Sequence, residues 1–236
     1  MKLKLSALVG LILTGVFVLS STALAQGIYT AGSTGVDISW PNCRAKVPTS
    51  AKFGIVGVTN GLGYSTSPCL VSEAAHFSNL SFYVNTGWNS SSTHINPTSP
   101  RLCAAADNNC LAYNYGYNAG LYAYNAASSA GLHSTTWWLD VESNNTWSTD
   151  ALQNQNSLLG EHDALLASGV AIVGAYSTTA MWNSITGSWL NNWPSWGATT
   201  WKTANQAKTY CTGHQFTGGT TWLIQYQGQL DQDVAC

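Results

Sequence analysis

Short apolar runs rich in β-branched residues alternate along this chain with segments of helical period, and that alternation restricts the fold to βαβ units around a parallel sheet. Strands are expected at residues 35–39, 53–59, 80–84, 135–141, 170–176, 196–200 and 221–226. The periodicity predicts helices over 72–79, opened by Ser72 with Glu73 in its first turn, and over 113–130, with Gly131 just past the end. A third is expected over 150–168, capped by Ser148 or Thr149 and stopped by Gly169. Residues 86–109 break the rhythm: Ser, Thr and Asn dominate, Pro97 and Pro100 interrupt, and Cys103 and Cys110 close the stretch. Long excursions of this kind in compact domains usually serve function. No repeat or linker divides the chain, so one domain is expected over residues 26–236, an α/β fold of the TIM-type (β/α) barrel class.

The first 25 residues stand apart. Lys2 and Lys4 precede an apolar stretch from Leu5 to Leu19 and a small-residue run ending Ala23-Leu24-Ala25, the layout of a secretory signal peptide cleaved before Gln26. Its apolar core is shorter than the ~20 residues that span a bilayer. The mature protein is therefore expected to be secreted, extracellular, free of the membrane after cleavage, and monomeric. Removing 25 of the 236 residues leaves 211, at the lower end for a complete barrel. The two signal lysines leave with it, so six Lys and Arg face ten Asp and Glu, a balance of −4 that argues against nucleic acid or anionic lipid as a partner.

All six cysteines follow the signal, and an even count in an exported chain reads as three disulfides. Their order suggests Cys43 with Cys69, Cys103 with Cys110, and Cys211 with Cys236, each a local staple. There is no C-x-x-C and the five histidines have no ligand spacing, so neither a metal nor another cofactor is expected. Only 8% of residues are charged, while eleven tryptophans and many Asn, Ser and Thr remain, a composition suited to sugars as well as to an aromatic core.

Asp140 and Glu142 end the predicted strand 135–141. Side chains two apart on a strand point to the same side, so both carboxyls reach into one space, ~6–7 Å apart at the Cα level. In a barrel that space is the mouth where catalysis occurs. Each carboxylate then feels the other's charge, which raises one pKa and creates a proton donor near neutrality. Asp37 ends the first strand in the same way, and Asp231 and Asp233 supply a further acidic position near the C-terminus.

Gly35-Val-Asp-Ile-Ser39, Phe53-Gly-Ile-Val-Gly-Val-Thr59, Leu139-Asp-Val-Glu142, Gly174-Ala-Tyr-Ser177 and Trp222-Leu-Ile-Gln-Tyr226 with Asp231-Gln-Asp233 resemble, in order and spacing, the signature strands of family 25 glycoside hydrolases, the lysozyme-type muramidases. The resemblance spans nearly the whole mature chain. It implies a short glycoside hydrolase-like barrel that cleaves β-1,4 bonds of peptidoglycan or a related amino-sugar polymer. It further implies Glu142 as general acid, Asp140 as its orienting or stabilising partner, and Asp37 and Asp231 as supporting carboxylates, with Asp233 the alternative to Asp231. The expected chemistry is retaining, with the substrate's acetamido group a candidate participant. Trp138, Tyr83, Asn85, Tyr176, Trp222 and Gln225 are the expected substrate contacts.

Departures mark a divergent branch. Asn85 and Thr86 stand where the family usually has tyrosine, histidine and an aromatic, Gly57 stands where arginine is common, and the three disulfides are foreign to it. The same barrel also suits a secreted carbohydrate-binding protein without turnover. Other hydrolase classes are disfavoured: no G-x-S-x-G, H-E-x-x-H or P-loop is present.

Overall fold

A computed structural model describes residues 28–213 and 215–236; the signal peptide expected over residues 1–25 lies outside them. Eight strands close a barrel in sequence order. They are β1 (Thr34–Ile38), β2 (Gly54–Gly57), β3 (Leu80–Asn85), β4 (Thr136–Asp140), β5 (Ile172–Ser177), β6 (Ser195–Ala198), β7 (Thr221–Tyr226) and β8 (Asp231–Ala235). Among the described residues five α-helices surround them: α1 (Leu70–Ala74), α2 (Asn108–Ser129), α3 (Ala151–Ala167), α4 (Thr179–Thr186) and α5 (Ala204–Lys208).

The expected wholly parallel sheet needs one correction. β1 to β7 pair in parallel, but β8 runs antiparallel to both β7 and β1. Only residues 227–230 separate β7 from β8, and so short a connection joins antiparallel strands, whereas a parallel crossover needs a dozen residues or more. This reversal has a functional consequence. The first residue of β8, Asp231, arrives at the face where the parallel strands end, directly opposite Asp37 of β1.

Helix boundaries also moved. Ser72 lies inside α1 and returns its hydroxyl to Cys69 O (2.9 Å), while α2 begins five residues earlier than expected because Asp107 accepts the Cys110 N–H and starts the helix there. α3 is capped by Asp150, whose carboxylate accepts the Leu152 N–H, in place of Ser148 or Thr149.

Strand alternation sorts the core into two layers. Phe82, Val84, Trp137 and Leu139 face outward to pack under α2 and α3, while Ile55, Trp138, Tyr176, Trp196 and Trp222 fill the barrel interior. The large interior rings need small partners: a Cβ on Gly174 would collide with the Trp138 indole. Outside, Gly116 of α2 meets the Ser157 backbone and Gly160 of α3 meets the Tyr113 backbone, so the two helices pack with almost no side chain between them at that crossing.

All three expected disulfides are present: Cys43–Cys69, Cys103–Cys110 and Cys211–Cys236. The last ties the end of β8 to the segment after α5 across 25 residues. Replacing both Cys211 and Cys236 by serine should cost about 3 kcal/mol through the freed loop, or roughly 6–12 °C in melting temperature for a domain this size. A differential scanning measurement checks it; an unchanged melt would mean that β8 holds its place without the bond.

Candidate active site

β1, β4 and β8 bring four carboxyl groups, Asp37, Asp140, Glu142 and Asp231, to one cavity of about 150 Å³ at the mouth of the barrel. Tyr83, Tyr176, Trp196 and Gln225 complete its wall, and none of the lining side chains is cationic. Alternation explains the convergence. On β4, Trp137 and Leu139 point out while Trp138 and Asp140 point in, and Glu142 follows Asp140 on the same side just past the strand end.

Each acid is held by different neighbours. Asp140 is 4% exposed and receives Asn85 Nδ2–H on Oδ2, while its other oxygen, Oδ1, is buried without a partner. Thr59 fixes Asn85 from both sides, donating its hydroxyl to Asn85 Oδ1 (2.7 Å) and accepting Asn85 N–H (2.8 Å). The Asp140 carbonyl receives Thr86 Oγ1 and Asn145 Nδ2, and Trp147 Nε1 donates to the Glu142 carbonyl at 2.8 Å, so both acids sit on a pinned backbone. Asp37 Oδ2 accepts Gln225 Nε2–H at 3.0 Å, and Gln225 is oriented by the Tyr176 hydroxyl at 2.8 Å.

The two C-terminal aspartates divide by depth. Asp231 opens into the cavity beside Asp37. Asp233 is fully buried and accepts Trp196 Nε1–H on Oδ1 (2.8 Å), while its Oδ2 is buried without a hydrogen-bond partner.

With no cation to offset them, these groups hold protons tightly. Burial, then the charge of Asp231, pushes Asp37 up to about 7 against the hydrogen bond from Gln225. Burial first and Glu142 next hold Asp140 well above the carboxylate range, opposed by Asn85. Glu142 is raised by burial and by Asp231, and Asp233 is raised strongly by burial and by Asp37. Asp140 and Glu142 are best described as a pair that retains a proton two isolated carboxyls would lose.

A stability consequence follows with a definite sign. A carboxyl whose folded pKa exceeds its unfolded value binds more protons when folded, so stability falls as pH rises between the two. For Asp37 that window runs from 3.8 to about 7. The melting temperature should therefore decline from about pH 4 to pH 7–8, which a pH series of thermal melts checks; a melting temperature that rises over this range would contradict the burial of these acids.

Of the expected substrate contacts, Tyr83, Tyr176 and Gln225 line the cavity, and Asn85 braces Asp140. Trp138 and Trp222 do not reach it. Trp138 is completely buried one step below Asp140, its indole N–H on Tyr29 Oη (2.9 Å), and Trp222 packs beside it in the barrel core. Sequence reasoning missed Trp196, which both lines the cavity and holds Asp233; nothing in the sequence separates it from the core tryptophans. Gly57 is explained directly. A Cβ there would lie 2.8 Å from Tyr83 Cζ, so the Tyr83 ring fills the space that a β2 side chain would occupy. A Gly57→Arg change should expel Tyr83 from the cavity wall and cost at least tenfold in any activity of the site; a variant as active as the parent would exclude Tyr83 from it.

Among the described residues one cluster has metal-ligating types, Cys43, Cys69 and Glu73, but its sulfurs are joined in a disulfide and are no longer thiolate ligands.

No family profile and no curated protein matches this chain in sequence. Solved structures match its fold. The lysozyme of Streptomyces coelicolor aligns with a TM-score of 0.52 at 18% identity, over 88% of this chain and 93% of that one. The muramidase of Trichobolus zukalii aligns at 0.54 and 15%, over 86% and 93%. The modular autolysin LytC of Streptococcus pneumoniae aligns at 0.53 and 14%, over 86% of this chain but 46% of its own length, so the likeness spans about half of that protein. The barrel is thus of the form seen in family 25 glycosyl hydrolases.

Proposed function

We propose that this protein is a secreted glycoside hydrolase that cleaves the β-1,4 bonds of peptidoglycan or a closely related amino-sugar polymer. The observation that carries the proposal is the convergence of Asp37, Asp140, Glu142 and Asp231 on one cation-free cavity at the mouth of the barrel. Sugar hydrolysis needs one carboxyl that keeps its proton and another group that answers positive charge at the sugar carbon. Glu142 is the proton donor. It is half-buried, its pKa is raised, and it borders the open cavity where a leaving oxygen can reach it. With the pair's proton on Glu142, the Asp140 carboxylate, which accepts the Asn85 amide N–H, stabilises the positive charge that appears at the sugar carbon as Glu142 passes its proton to the leaving oxygen. Asp37 and Asp231 close the opposite wall, and Gln225 keeps Asp37 in place.

Support also comes from energetics. Carboxyl groups held above their ordinary pKa without cations destabilise the neutral-pH protein, a cost typical of active sites and without purpose in a barrel that only binds. The folds matched belong to proteins described as lysozymes and muramidases, and one autolysin structure carries a synthetic peptidoglycan ligand.

Release of reducing ends from purified peptidoglycan and from chitin by the mature protein tests the proposal. Release from either polymer is the expected result. Tight binding to one of them with no release would replace the hydrolase by a sugar-binding protein.

A further inference from the structure

Cys43–Cys69 differs from the other two disulfides in its surroundings. Cys43 is the one exposed cysteine of the six, while Cys69 is 8% exposed at the start of α1. Attack by an outside thiol is therefore directed to Cys43, with the buried Cys69 sulfur as leaving group. Arg44 and Lys46 follow Cys43 and are exposed, so this corner of a chain short of cations offers positive charge to an anionic thiolate.

A carboxyl group lies beside the bond. One Glu73 side-chain oxygen and both sulfurs are within 4.8 Å of one another. Among the described residues no acid or histidine stands this close to both sulfurs of either other disulfide. Glu73 is 2% exposed, both its carboxyl oxygens are buried without a hydrogen-bond partner, and it does not line the carboxylate cavity. A buried carboxyl without donors resists ionisation, and burial pushes Glu73 up to about 7.

Its neighbours do not offset this. β2, packed beside α1, carries no titratable side chain, and β3 contributes Tyr83, whose hydroxyl feels the charge of Glu73. The loop after β1 carries Arg44 and Lys46, and His76 follows Glu73 in the chain; all three are exposed. The proton on Glu73 therefore sits next to the sulfur that must leave.

We infer that Cys43–Cys69 is a thiol-exchange site, in which a small anionic thiol attacks Cys43 and the Glu73 carboxyl protonates the departing Cys69 sulfur. The inference is independent of the hydrolase reading. The attacking thiolate forms a new S–S bond with Cys43 Sγ as the Cys43–Cys69 bond breaks, and the electron pair of that bond goes to Cys69 Sγ. Glu73 gives its proton to that sulfur and regains one from water, while Ser67 Oγ, 3.6 Å from Cys69 Sγ, donates its hydroxyl to the forming thiolate. A second thiolate attacks the small thiol's own sulfur in the mixed disulfide and releases Cys43 as a thiolate, which takes a proton from water. The protein gains two electrons and two protons, and the two small thiols leave as their disulfide.

The test incubates the folded mature protein and its Glu73→Gln variant with reduced glutathione, quenches with N-ethylmaleimide and maps the peptides by mass spectrometry. Cys43–Cys69 should open roughly tenfold or more faster than either other bond, with glutathione attached to Cys43 and maleimide to Cys69. Rates divided by the glutathione thiolate concentration should fall roughly threefold or more from pH 6 to pH 8 in the parent, as Glu73 loses its proton, and stay level in Glu73→Gln. A thermal melt shows whether the variant folds; the order of opening and the sulfur attacked are read in the parent alone. Opening of Cys103–Cys110 or Cys211–Cys236 first or at an equal rate, glutathione attached to Cys69, or the same pH profile in the folded variant overturns the exchange site.

Discussion

Glu142→Gln is expected to lower the rate of reducing-end release by about 10²–10⁴-fold, the usual contribution of a positioned general acid, while the protein folds and binds sugar as before. Glutamine keeps the shape and loses the proton. Glu142 is half-buried, and the hydrogen bond that fixes it, from Trp147, falls on its backbone carbonyl, so the amide has room without breaking a side-chain network. Steady-state kinetics beside a thermal melt would measure both effects. Activity within tenfold of the parent would remove Glu142 from the chemistry and leave Asp37 or Asp140 as the donor.

Asp140→Asn should have a double effect: activity falls by two orders of magnitude or more, and at pH 8 the variant melts above the parent. The activity loss follows from removing the charge that faces the reacting carbon. The stability gain has its sign from linkage. Asp140 is buried, with one oxygen unpartnered and a pKa raised well above the ordinary range, so the folded protein resists its ionisation and loses stability as pH rises from the unfolded value of 3.8 towards the raised folded one. Asparagine has no proton to lose. The advantage should therefore vanish near pH 4, where the parent's carboxyl is protonated in the folded state. A variant less stable than the parent at pH 8 and equally so at pH 4 would indicate that Asp140 serves packing rather than charge.

Much of the barrel was legible because β-branched runs alternate with helical segments: β1 to β7 fall within two residues of expectation at both ends, and the acids at the ends of β1 and β4 follow from strand alternation. β8 was not, because Asp231-Gln-Asp233 carries its acids where an apolar strand would carry Val or Ile, and its antiparallel direction is dictated by the short loop before it. α4 and α5, eight and five residues long, lack the length for a period to register. Trp138 and Trp222 illustrate a different limit. Alternation tells which side chains enter the barrel but not how deep they sit, and one step along β4 separates a core indole from a cavity carboxyl. The same limit left Asp231 and Asp233 interchangeable until their register opposite Asp37 and Gly35 was known.

The central claim, hydrolysis at a sugar carbon by this carboxyl constellation, is tested most directly by digesting peptidoglycan in water enriched in oxygen-18 and analysing the products by mass spectrometry. The account predicts soluble fragments with the heavy oxygen at each newly formed reducing end, and none from the Glu142→Gln protein. Fragments with anhydro ends and no heavy oxygen, or equal yields from parent and variant, would contradict it.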